Sequence, residues 1–72
     1  MQNVEQRLYR RRDAVRLLGL SESKCLDLER RGLLEPLHLQ SVGRSVRYEA
    51  AAVHALADRL IAEARAVRKE TA

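Results

Sequence analysis

Phenylalanine and tryptophan are absent from these 72 residues, and Tyr9 and Tyr48 are the only aromatic side chains. The core must therefore be assembled from Leu, Val and Ala, and the stacking platforms used by most RNA readers are missing. Cys25 is the single cysteine. No internal disulfide can form, and a reduced, cytoplasmic setting is expected. His38 and His54 are isolated from one another and from Cys25, so no spacing suits a zinc site. The longest apolar run, residues 50–53, is far below the ~20 residues of a membrane span. Residues 1–6 carry no apolar stretch of a signal peptide. A membrane is accordingly not among the expected partners.

A chain this short forms at most one domain and buries only about 60% of the surface that its unfolded form exposes. Such a body has no room for a deep substrate cavity. No Ser-His-Asp arrangement, phosphate loop or paired carboxylate stands out. The expectation is a protein that is not an enzyme and that uses no metal, no cofactor and no small-molecule effector.

What is abundant is positive charge, with a formal net charge of +4 and a pI near 10.0. The excess is not spread evenly. Residues 1–47 hold ten basic and six acidic side chains, whereas residues 48–72 hold four of each. A field concentrated in this way suits a polyanionic partner.

Along the chain, Ala14, Leu17 and Leu18 recur at helical spacing within residues 11–18, with arginines mostly on the other side. Gly19 is placed to end that helix in the left-handed region, and Ser21 to cap the next. The second helix is expected over residues 22–31. Leu20 and Cys25 form a hydrophobic staple around Ser21 at its start, and Gly32 with Leu33 closes its end in a Schellman-type turn. Cys25, Leu26 and Leu28 are expected to face inward, leaving Ser23, Lys24, Asp27, Arg30 and Arg31 along the outer face. After Pro36 the period changes to two. Residues 37–40 and 45–48 read as the strands of a hairpin whose turn, residues 41–44, puts Gly43 at positive φ and Arg44 at the tip. From Glu49 to about Lys69 the helical period returns, with Val53, Leu56, Ala57, Leu60, Ile61, Ala64 and Val67 in one stripe. A helix of about 20 residues spans roughly 30 Å, more than so small a body covers. Leu60, Ile61, Ala64 and Val67 are therefore candidate protein contacts.

The stretch from Ser21 to Pro36, above all Glu29-Arg30-Arg31-Gly32-Leu33-Leu34 and Pro36, resembles the recognition helix and following turn of MerR-type winged-helix proteins. Gly43-Arg44, Val46-Arg47-Tyr48 and Val53 are similar to the wing and next helix of that superfamily and of phage excisionases. Together these matches cover about residues 8–56. The resemblance implies an α+β, mostly α fold: a winged helix-turn-helix with two short helices, a two-stranded wing and a longer C-terminal helix. Residues 1–56 would be the DNA-binding domain and residues 57–72 an extension of the last helix with a tail.

In such a fold the helix carrying Ser23, Lys24, Asp27, Arg30 and Arg31 enters the major groove. Gly43, Arg44 and Arg47 serve the wing, and Arg10, Arg11, Arg12 and Arg16 contact flanking phosphates. Two positions depart from the family pattern. Arg10 stands where a Ser or Thr cap is usual, and Asp27 where a basic residue is common. Asp27 is open to two readings, repulsion by phosphate or acceptance of a cytosine amino hydrogen. The implied function is that of an excisionase, or recombination directionality factor, which binds cooperatively to duplex DNA, bends the attachment site and directs a tyrosine integrase toward excision. The alternatives are a one-domain MerR-like transcription regulator and, from another class, a protein-interaction adaptor of antitoxin or anti-repressor type built on the stripe from Val53 to Val67.

Overall fold

The computed structural model describes residues 6–71, with side-chain surroundings through residue 67. Its elements run β1 (Leu8–Tyr9), α1 (Arg11–Leu18), α2 (Glu22–Arg30), β2 (Leu37–Leu39), β3 (Ser45–Glu49) and α3 (Ala50–Thr71). The fold is α+β and mostly helical, with three helices and one antiparallel sheet in the order β1-β3-β2. The expected two-stranded hairpin thus gains a third strand. β1 lies along the far side of β3, with Leu8 opposite Glu49 and Tyr9 opposite Tyr48. Two residues are too few to show a period of two, which is why this strand is not readable from alternation.

Both short helices end in the same way. At α1, Gly19 takes φ 68°, and the Gly19 and Leu20 N–H groups donate to the Arg16 and Val15 carbonyls at 3.2 and 3.3 Å. At α2, Gly32 takes φ 77°, and the Gly32 and Leu33 N–H groups donate to Glu29 and Leu28 at 3.0 and 2.9 Å. These paired bonds satisfy carbonyls that a helix end otherwise leaves open. The beginnings differ. Ser21 caps α2 by accepting from the Lys24 N–H at 3.2 Å. At α1 the aspartate three residues on compensates for Arg10, because Asp13 Oδ2 accepts the Arg10 N–H at 3.2 Å.

The hairpin pairs Leu37, His38 and Leu39 with Arg47, Val46 and Ser45. Its turn, residues 40–44, is one residue longer than the spacing predicts. Gly43 and Arg44 follow one another at φ 75° and 62°, and Ser45 Oγ donates to the Val42 carbonyl at 2.9 Å.

Ala14, Cys25, Leu28, Leu34, Tyr48, Val53 and Leu56 make the core, so every element except β1 and β2 contributes a buried side chain. Tyr48 is its largest fully buried member. Leu26, expected inward, is only half-buried, because the inner stripe of α2 is taken by Cys25 and Leu28. α3 passes residues 56 and 57 without a break. Its first half packs on the core through Val53 and Leu56, while Ile61 and Val67 stay 47% and 60% exposed. No helix among the described residues is long and apolar enough to cross a membrane.

Candidate nucleic-acid interface

The outer face of α2 is continuous. Ser23, Lys24, Asp27, Arg30 and Arg31 are all exposed, and they line one open depression of about 520 Å³ together with Leu20, Leu28 and Leu60. Spacings of three, four and seven put these side chains on one stripe running the length of the helix, and Leu60, at the middle of α3, adds an apolar side chain to the lining. Arg31 Nη1 lies 3.7 Å from Asp27 Oδ2, with both side chains more than half exposed. An exposed pair at i,i+4 stabilises by only about 0.3–0.5 kcal/mol, so Asp27 holds Arg31 weakly. Among the described residues, Lys24 and Arg30 have no carboxylate within ion-pair distance.

The arginines of α1 divide into two groups. Arg12 and Arg16, one turn apart, are exposed and border a second depression of about 580 Å³ with Arg11, Val15 and Glu22. Arg10 is exposed at the helix start. Arg11, read from sequence as a phosphate contact, is already engaged within the protein, with its side chain 41% exposed. Its Nη2 donates to Glu29 Oε2 at 3.3 Å, and its Nε donates to the Tyr48 hydroxyl at 3.0 Å. The Tyr48 hydroxyl in turn donates to the same Glu29 oxygen. The hydrogen bond that Arg11 donates to Tyr48 is the main cause that raises the Arg11 pKa above its usual value, although burial works against it. Tyr48 is also shifted upward, first by burial and then by Glu29.

Glu29 is the residue behind this face to which the sequence reading gave no role. It sits four residues after Cys25, hence on the buried stripe rather than the outer one, and this spacing is the signal that could have found it. It joins α2 to α1 and β3 at once. Burial likewise lifts the Cys25 thiol above its usual range, with Glu29 adding to the shift. This is the behaviour of a core side chain and not of a nucleophile.

At the hairpin, Gly43 and Arg44 are exposed at the turn. Arg47 is only half-exposed, and its Nη1 donates to the Val46 carbonyl at 2.8 Å, so its guanidinium is folded back along the strand. On α3, Ile61, Ala64 and Val67 are exposed. Leu60 differs, being half-buried and packed against the core. His54 shares a hydrogen bond of 2.8 Å with the Tyr9 hydroxyl, and His38 is exposed on β2. Among the described residues no group of His, Cys, Asp and Glu is arranged to hold a metal ion. Comparison with protein-family models, curated proteins and solved structures gives no match to this chain.

Proposed function

We propose that the chain is a winged helix-turn-helix module that binds duplex DNA, with α2 in the major groove and the β2-β3 hairpin as its wing. The observation that carries this reading is the single exposed stripe of α2, on which Lys24, Arg30 and Arg31 stand together with only Asp27 as an opposing charge. Arginine there reads guanine in a bidentate way or clamps a phosphate. Arg12 and Arg16 add phosphate contacts on the α1 side. Arg44 supports the wing assignment from a different direction. A non-glycine residue at φ 62° costs roughly 1–2 kcal/mol, and a strained position that carries an exposed cation is better suited to a ligand contact than to the fold.

A module of this size neutralises few phosphates, and non-specific affinities of about 10⁻⁴ to 10⁻⁶ M are typical of that mode. Useful occupancy then needs assembly of neighbouring copies, for which the exposed Ile61, Ala64 and Val67 of α3 are the contact surface. On its resemblance to excisionases, which bind adjacent sites cooperatively and bend attachment-site DNA, we assign the chain to the class that directs a tyrosine integrase. The test is fluorescence anisotropy with a labelled duplex over a salt series, followed by an integrase excision assay. A steep loss of affinity with salt and stimulation of excision are expected. Salt-independent or absent binding rejects the DNA reading, and binding without any effect on recombination leaves the one-domain regulator in its place.

A further inference from the structure

We infer that the cleft between α2 and Leu60, at the middle of α3, is a docking groove for an acidic amphipathic helix of a partner protein, and that a helix seated there excludes DNA from α2. The floor of the cleft is apolar, made by Leu20, Leu28 and Leu60, while Lys24, Arg30 and Arg31 form its rim. Asp27, the carboxylate on this face, is engaged by Arg31. Phosphates of a duplex satisfy the rim and leave the leucine floor uncovered. A small amphiphile needs 70–90% of its surface enclosed, which an open trough beside an exposed helix face does not supply. A helix with an apolar stripe and acidic flanks covers both parts at once, since its leucines meet the floor and its carboxylates meet the rim.

The shape agrees with this occupant. The lining residues run from Leu20, just ahead of α2, to its C-cap Arg31, so the trough follows the whole nine-residue helix, about 13 Å or roughly two and a half turns of a docked helix. A second copy of this chain does not fit the charge requirement. The exposed part of its α3 carries Asp58, Arg59, Glu63 and Arg65, with Arg59 and Glu63 already paired at 3.0 Å, so it has no acidic excess to offer three cations. The partner is therefore a different protein. Exclusion of DNA rests on the reading of α2 given above, whereas occupancy of the cleft does not.

The experiment uses the full chain, isotope-labelled for NMR, and a synthetic helical peptide of about 14 residues with Leu at i, i+3, i+4 and i+7 and Glu elsewhere. A peptide of identical composition, with its leucines scattered around the helix, is the control. Shifts confined to the backbone around Leu20, Lys24, Leu28 and Leu60 are expected, with the control about tenfold weaker or worse. Leu60→Ser should weaken the peptide about tenfold and leave DNA affinity unchanged. Because Leu60 also packs on the core, Lys24→Glu at an exposed position is the second variant, and it should weaken the peptide with the fold intact. Equal binding of the two peptides, or shifts centred on Arg12 and Arg16, overturns the groove. Simultaneous binding of peptide and duplex overturns the exclusion, and failure of the duplex alone to bind overturns only the DNA reading.

Discussion

The Tyr48 hydroxyl and the Arg11 guanidinium converge on one oxygen, Oε2 of Glu29. Tyr48 belongs to β3, Arg11 to the first turn of α1 and Glu29 to the last turn of α2, so a single carboxylate fixes the angle at which three elements meet. Its environment makes it strong. The Tyr48 side chain is fully buried, Glu29 is 15% exposed, and charge-assisted hydrogen bonds in such surroundings are about twice as strong as neutral ones.

Glu29→Ala leaves the buried Tyr48 hydroxyl and the Arg11 guanidinium without their common acceptor. An unsatisfied buried polar group costs about 1–3 kcal/mol, and in a domain of this size each kcal/mol lowers Tm by roughly 4–8 °C. Arg11→Ala should cost less, because Tyr48 and Glu29 still pair and Arg11 is 41% exposed. Thermal unfolding by circular dichroism checks the order, and an Arg11→Ala loss as large as that of Glu29→Ala contradicts it.

Tyr48 also makes a prediction about alkaline pH. Its pKa in the folded state lies above the ordinary 10.0, so at high pH the unfolded chain releases this proton before the folded one does. The corresponding stability is fully present below about pH 10 and is lost as pH rises beyond it. Tyr48→Phe removes this component. The fall of Tm with pH above 10 should therefore be steeper in the parent chain than in the variant, and parallel curves would contradict the assignment.

Much of the fold is legible in the sequence because its punctuation is local. Gly19, Ser21 and Gly32 mark helix ends through bonds to residues no more than five positions away, and the change of period after Pro36 is visible within a few residues. The outer stripe of α2 is readable for the same reason. What escapes is long-range. The pairing of Leu8 and Tyr9 with Tyr48 and Glu49 and the bond from Tyr9 to His54 join residues about forty positions apart, and nothing near Tyr9 announces them. The pairing of Arg11 is of this kind too, since its partner Glu29 lies on another helix. Charge counting treats every arginine alike, and only packing separates Arg11 from Arg12.

Arg44→Gly should separate stability from binding. Removing the side chain from φ 62° relieves backbone strain and raises stability by up to about 1 kcal/mol. If the proposed wing is right, the same change should delete one phosphate contact and lower the slope of log affinity against log salt by about 0.9. A variant with an equal or higher Tm and an unchanged salt slope would remove Arg44 from the interface.

Arg30→Ala acts differently on DNA. Losing a bidentate contact to a base should cost about 1–3 kcal/mol on the preferred sequence and relax the preference at one base position. Selection of bound sequences from a randomised duplex pool, carried out in parallel for parent and variant, reads this directly. Identical selected motifs would show that Arg30 touches the backbone alone.

Ile61→Asp combined with Val67→Asp alters two exposed positions of α3. Surface changes of this kind usually move stability by no more than about 0.5 kcal/mol. Loss of cooperativity on a duplex long enough for several copies, with single-site affinity retained, is the expected outcome in a titration followed by gel shift. Retained cooperativity would place the contact between copies elsewhere.

The short strand β1 carries a consequence for anyone handling this molecule. The Arg7 carbonyl accepts the Ala50 N–H at 2.8 Å, and Leu8 and Tyr9 zip along the outer side of β3. Trimming the polypeptide just ahead of Arg10 would strip a neighbour from the middle strand and leave a raw sheet border open to other chains. Fusion partners or affinity handles joined directly to Arg7 would disturb the same seam, so residues 7–9 are a working part of the body and not a spare lead-in.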